Sequence, residues 1–371
     1  MSELRPQTPP SVLQRQGRSP RRASARRRAS AFGALLASLL AIAAVVVATL
    51  GLLRHHTPTL RSTPAKPQRH ATTGTGPAAD LTPVGKLASA VSGAAVVSDG
   101  SRGATLFGGL DTANTPIATV QSFDGSRTSS VGTLPVPLAA SGAAVLDGAV
   151  YLFGGSETTG PTSDIVSVGT GGSSSTIAGS LPQPTEGAAI AASGKTAYVI
   201  GGYDGTSDLD SIVSWSTSAG ASTVASLPQP VVDAAAVAYD GAVYVIGGAD
   251  DGVSIFAIYR FDPATNSVTK VAKLPIALTQ PAAAAEDGRI IVLGGYRAVG
   301  VNQSSAIYSF SPATARVKLI GLLPVRLAGA MAVSLPGEVL LAGGVEPSGE
   351  TNSTIYKVVL DNRPATSHAG G

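Results

Sequence analysis

The sequence predicts an all-β fold made of six similar four-stranded units closed into a ring, and three recurring signals predict it. A double glycine ends a short apolar run at Gly108-Gly109, Gly154-Gly155, Gly201-Gly202, Gly247-Gly248, Gly294-Gly295 and Gly343-Gly344, at spacings of 46, 47, 46, 47 and 49 residues. A leucine, in five of six cases followed by proline, stands at Leu87, Leu134, Leu181, Leu227, Leu274 and Leu323, 20 or 21 residues before each double glycine. Between these markers lies a tight-turn signal ending at Gly100, Gly148, Gly194, Gly241, Gly288 and Gly337. Three signals in fixed order and six copies define a repeat of about 47 residues, the period of one propeller blade.

Each copy parses into four strands. In the fourth, VDAAAVAYDG gives an alanine-rich strand and an Asp-Gly hairpin turn, AVYVIGG a second strand, FAIYRFDPATN a third with its turn, and SVTKVAKLP a fourth. Small residues suit a first strand crowded near an axis. A second strand covered on both faces by neighbouring units reads as apolar without strict alternation. The double glycine then permits a sharp turn where backbones approach closely, and proline after the leucine suits the edge of an outermost strand, which needs no donor there. The last repeat stops after its third strand, Ser353 to Asp361, while an unused outer strand, Pro83 to Ala88, precedes the first. The N-terminal strand is therefore expected to complete the sixth unit and close the ring.

This pattern resembles the kelch-repeat family. The likeness is carried by the six Gly-Gly pairs, by FDPATN at Phe261 to Asn266 with its copy FSPATA at Phe310 to Ala315, and by the recurrent Leu-Pro. The resemblance implies a six-bladed kelch-type β-propeller over residues 81–362. The chain departs from the family where a tryptophan is expected before the outer strand: Val268 and Val317 stand there, and the one tryptophan, Trp215, lies in a third strand. Arg326 alone keeps the arginine often found after Leu-Pro.

Ahead of the repeats the chain changes character. Residues 1–30 form a basic segment predicted to be cytoplasmic. Residues 31–53 are 23 residues without a charge, about 34 Å as a helix, which is enough to cross a bilayer. Eight arginines precede this run, so the positive-inside rule places the N-terminus in the cytoplasm and the propeller outside a cell membrane. A cleaved signal peptide is the alternative, although the apolar run is long for one. Residues 54–80, rich in Pro and Thr, read as a linker, and residues 363–371 as a disordered tail. The two RRAS sequences at Arg21 and Arg27 read as topology determinants. The arginine-anchored, Ala/Gly-rich composition reads as bacterial, so the sequons at Asn302 and Asn352 are expected to go unused.

Charge divides in the same way. Residues 1–80 carry 12 Lys and Arg against two acids, whereas residues 81–362 hold 13 basic and 21 acidic residues, a net charge of −8. The basic pI thus belongs to the N-terminal segment and gives no reason to expect nucleic acid binding. Cysteine is absent, and His55, His56, His70 and His368 all lie outside the repeats. Within the propeller this excludes a Ser-His-Asp site, thiolate or imidazole metal centres, and the copper chemistry of kelch-like oxidases. No cofactor and no metal is expected, and the closely spaced Asp204, Asp208 and Asp210 read as turn residues, not calcium ligands.

What remains is a loop face. Loops before the first strands and after the double glycines should share one side of the ring, gathering Glu186, Asp233, Gln280 and Arg326 with Tyr203, Asp204, Asp250, Tyr296 and Arg297. Tyr203 and Tyr296, each directly after a double glycine, could stack on a sugar ring. An acid beside an arginine could do acid–base work on a sugar. Three functions follow: a non-enzymatic module that holds an envelope protein, a carbohydrate-binding module, or a sugar-processing enzyme that resembles kelch-like sialic acid mutarotases and epimerases in fold. The expected partner is a cell-envelope protein or glycan, and the first of these is the leading reading.

Overall fold

Six antiparallel sheets, five of four strands and one of five, follow one another along the chain in the computed structural model, which describes residues 78–361 apart from Thr170, Gly171 and Ser173; the fifth strand is Tyr296–Ala298, paired with the start of the third strand of blade five. Blade one is Ala95–Ser98, Ala104–Phe107, Thr119–Phe123 and Thr128–Thr133. Blade two is Gly142–Leu146, Ala149–Phe153, Asp164–Val168 and Ser175–Ser180. Blade three is Ala189–Ser193, Thr196–Ile200, Ser211–Ser216 and Gly220–Ser226, and blade four is Ala235–Tyr239, Ala242–Ile246, Ala257–Asp262 and Ser267–Lys273. Blade five is Ala282–Glu286, Arg289–Leu293, Val301–Ser311 and Arg316–Leu327. This is the six-bladed propeller that the repeat predicts. The apolar run at residues 31–53, with its flanking basic segment, most of the linker and the C-terminal tail, lies outside the described residues.

Blade six is composite, as expected. Met331–Leu335, Glu338–Ala342 and Thr354–Asp361 come from the end of the chain, and Ala78–Lys86 from its beginning supplies the outer strand, with Leu81 opposite Val358 and Gly85 opposite Ile355. The strand starts at Ala78, ahead of the boundary expected after residue 80. Ala78, Ala79 and Asp80 carry no strand propensity of their own, but the backbone of Asp361, Leu360 and Val359 is there to pair with them.

The second strands are the most buried, as in Ala242–Ile246, where every residue is sequestered. Between blades the packing repeats. The third-strand ring of one blade sits on the second-strand aromatic of the blade before it: Trp215 on Tyr151 at 4.6 Å between centroids, Phe261 on Tyr198 at 5.1 Å, Phe310 on Tyr244 at 5.7 Å. Such pairs contribute roughly 0.5–1.5 kcal/mol each beyond their burial. Trp215, out of place by the family pattern, thus fills a position held by phenylalanine elsewhere. The six marker leucines are all at most 5% exposed and wedge the ends of the outer strands into these layers.

The double glycines have the predicted role. At Gly247 φ is +65°, and a Cβ would collide with the backbone carbonyl of Leu278. At Gly241, in the Asp-Gly turn of the same blade, φ is +73° but nothing stands within 4 Å. Alanine at Gly241 should therefore cost about 1 kcal/mol of backbone strain alone, whereas Gly247→Ala adds a clash with an immovable carbonyl and should cost several-fold more. Paired thermal melts check this: equal shifts would mean that backbone conformation, not close approach, dictates the double glycine.

Candidate functional site

The loop face is assembled by backbone pairing. In each blade the residue after the double glycine bridges the segment that leads into the first strand: Ser92 with Leu110, Ala139 with Ser156, Glu186 with Tyr203, Val232 with Ala249, Thr279 with Tyr296, and Ala328 with Val345. The second glycine of each pair donates its N–H to the segment leading into the next blade, as Gly248 does to the Leu278 carbonyl at 2.8 Å. Every lead-in segment is thus clamped from two sides, and all nine candidate residues stand on or beside these loops.

At the centre the lead-in segments meet. Gly93 donates to the Gly329 carbonyl, Ala140 to Gly93, Gly187 to Ala140, Asp233 to Gly187, Gln280 to Asp233 and Gly329 to Gln280, at 2.8–3.1 Å. These six bonds form a closed backbone ring around the axis. All six residues hold φ between +50° and +62°. Each stands six residues after its marker leucine.

Two members of the ring carry functional side chains. Gln280 donates from Nε2 to Oδ2 of Asp233 at 2.9 Å. The other carboxylate oxygen points back along the ring toward Gly187, and Oε1 of Gln280 points on toward Gly329. Both border a cavity of about 160 Å³ otherwise lined by small residues, among them Ala94, Ala188 and Ala330. Water reaches part of Asp233, but protein encloses it laterally, and this burial pushes its carboxyl up to about 6; Gln280 opposes the shift, while the charges of Glu186 and Asp208 add to it. No arginine is among the groups that act on it.

The remaining candidates divide into three sets. Asp204 spends its carboxylate on its own turn, accepting from the N–H groups of Thr206 and Ser207. Asp208 accepts from the Asp251 N–H at 2.8 Å and so links blades three and four. Among the described residues no group of three His, Asp or Glu side chains is placed to hold a metal ion. Tyr296 is 9% exposed, which leaves little of its ring for stacking. Burial raises its phenol, a bond with Gln303 opposes this, and the charge of Asp233 adds to it. Tyr203 and Asp250 are half-buried on the loop face, Asp250 close enough to raise the phenol of Tyr259, itself raised mainly by burial.

Arg297 and Arg326 meet elsewhere, in a cleft of about 700 Å³ at the boundary of blades four and five. It is bordered by Tyr308, Gln303, Leu319 and Leu322 of blade five and by Ile276 from the segment leading out of blade four, with no acid among its lining residues. Both arginines are exposed, and neither forms an ion pair among the described residues. Burial pushes the Tyr308 phenol upward, and the Arg297 guanidinium offsets part of that shift. The expected neighbours, an acid at Glu186 or Asp233 and a base at Arg326, are thus parted: acids toward the axis, arginines in the cleft.

The kelch motif model matches residues 230–275, which run from the lead-in of blade four through its outer strand and the following Leu-Pro. The motif therefore coincides with one blade of the six. The chain is a six-bladed β-propeller that carries a kelch motif. Among solved structures, that of YjhT matches with a TM-score of 0.65 and 16% identity, over 75% of this chain and 99% of its own, a likeness of fold. No curated protein matches the chain. In this ring Arg297 and Arg326 were legible as residue types, but their meeting depends on the long blade-five hairpin, which no spacing announces.

The raised Asp233 carboxyl sets a pH dependence. Its pKa is higher folded than unfolded, so it favours the folded state at low pH, and that contribution is lost as pH rises from about 4 through about 6. The loss is at most about 3 kcal/mol for a shift of roughly two units. Asp233→Asn, which keeps the shape and can still accept from Gln280, should raise the melting temperature at pH 7.5 and flatten the melting profile between pH 4 and 6. An unchanged profile would mean that Asp233 titrates normally.

Proposed function

We propose that the protein is a non-enzymatic binding and scaffold module, tethered by its N-terminal apolar segment and presenting the loop face of the propeller to an envelope protein or glycan outside the cell membrane. The observation that carries the reading is the pair Arg297 and Arg326, which share a large open cleft without a carboxylate partner. An exposed arginine fork gains most from a bidentate bond to a planar anion. Two aimed into one concavity match a ligand that brings carboxylates. The arginine-rich N-terminus and the 23-residue uncharged run support the tether and its orientation.

A second reading keeps a specific observation of its own. Asp233, with a carboxyl pushed up to about 6, borders a central cavity beside Gln280 and within the electrostatic reach of Tyr296 and Glu186. A carboxyl near neutrality suits proton transfer, as a sugar mutarotase or epimerase requires.

Proton NMR on the full-length protein in lipid nanodiscs, with a mixture of envelope sugars that includes sialic and uronic acids, separates the readings. Saturation transfer without anomeric or epimeric conversion is the expected result for a glycan-binding module, with Arg326→Ala weakening affinity by about 10- to 100-fold, the worth of one charge-assisted bond. Conversion faster than the protein-free control, abolished by Asp233→Asn, would overturn the non-enzymatic reading.

A further inference from the structure

We infer that the cleft between blades four and five is the docking groove for an extended, acidic segment of a partner protein in which carboxylates are interspersed with aliphatic side chains. This deepens the binding-module reading and rests on it. The outer hairpin of blade five differs from the others. Its strands run over Val301–Ser311 and Arg316–Leu327, eleven and twelve residues, whereas the outer strands of blades one to four have six or seven. The outermost strand pairs with Val301–Ser311 only, so its second edge carries no sheet partner.

That strand breaks the usual protection of an edge, in which long exposed apolar stretches are avoided. Leu319 and Leu322 are 58% and 59% exposed. In register they stand opposite Tyr308 and Ala306, so all four border the same groove, and Ile276 faces them from the blade-four side. Val253, after the blade-four double glycine, and Val301, the first residue of the blade-five third strand, are also more than half exposed. Arg297 and Arg326 stand in the groove where it meets the loop face, and no acidic residue lines it.

The occupant follows from this pairing of chemistries. A lone carboxylated sugar would satisfy the arginines but leave two leucines in water. An apolar helix or tail would cover the leucines but strand two guanidinium groups. An extended segment serves both, because alternate side chains point the same way. From Leu319 to Arg326 is about 23 Å at 3.3 Å per residue, the reach of seven or eight residues. The free edge of Arg316–Leu327 offers main-chain hydrogen bonds as well, except at Pro324, which lacks an N–H.

The test is selection of a phage-displayed library of random ten-residue segments on the full-length protein in nanodiscs, followed by titration of a synthetic peptide of the enriched sequence. Enriched segments should carry Asp or Glu together with Leu, Ile or Val. Arg297→Ala and Arg326→Ala should each weaken the peptide at least tenfold, Leu319→Ser with Leu322→Ser likewise, Arg326→Lys less than Arg326→Ala, and added salt should weaken it further. All these side chains are exposed or half-exposed, so unchanged melting temperatures should show the variants folded. Enrichment of neutral or basic segments, or affinity indifferent to these substitutions, would overturn the inference. If no segment is enriched while glucuronic acid gives saturation transfer that Arg326→Ala abolishes, the protein segment is wrong but the binding module stands. If neither occurs, both fail.

Discussion

The closed ring of six backbone hydrogen bonds at the axis is the constraint on which the other features of the propeller depend. Each N–H donates to the carbonyl of the preceding blade's ring residue, and the circuit closes between Gly93 and Gly329. A circuit of this kind has no slack. Every ring residue turns its N–H toward one neighbour and its carbonyl toward the other, and all six do so from the left-handed region of backbone space. For glycine that conformation is free, but Ala140, Asp233 and Gln280 bear roughly 1 kcal/mol of strain each, offset by bonds that would otherwise be missing from a buried turn. The near-constant repeat length follows, because each blade must return its chain to the axis at the same height.

From that ring outward, stability is a sum of nearest-neighbour terms. Each blade leans on the next through its double glycine, its third-strand ring and its marker leucine, and none of these contacts reaches beyond one neighbour. A linear array of such units would leave one face of blade six and one of blade one in water. The pairing of Ala78–Lys86 with Thr354–Asp361 prevents this without a disulfide, which a chain lacking cysteine cannot form. Local contacts build the blades, and a single long-range strand pairing makes them a ring.

The features visible in the sequence are those where backbone geometry dictates residue type. Gly247 is recognisable because a Cβ would strike Leu278, Leu274 because a buried wedge must be apolar, and the spare Pro83 to Ala88 strand because the last repeat lacks one. The ring at the axis was less legible. Its positions hold Gly, Ala, Gly, Asp, Gln and Gly, since the requirement falls on the main chain and leaves the side chain open. Asp233 and Gln280 stood out only as polar loop residues. The cleft was harder still. Between the paired residues Leu293 and Ile307 blade five spends 13 residues where blade four takes 11 between Ile246 and Ile258, and those two extra residues let the hairpin lengthen past its neighbours. In a repeat whose spacing already varies by three, an insertion of two carries no signal.

The separation of charge across the loop face bears on how a partner would be chosen. The propeller segment has a net charge of −8, so a negatively charged partner meets repulsion from most directions. Toward the axis Asp233 and Glu186 reinforce that field, with Asp208 close by, and the charges of Glu186 and Asp208 add to the burial that raises the Asp233 carboxyl. Arg297 and Arg326 stand together in a concave surface whose lining holds no acid, a local excess of positive charge. A small positive site in an acidic body gives orientation more than speed: it admits an anion in one place and disfavours it elsewhere, which is specificity by exclusion. The exposed Leu319 and Leu322 would then act on what had been admitted, since they would reward a ligand that continues as chain and give nothing to a free ion. Charge would select where the partner binds, and apolar contact would select what the partner is.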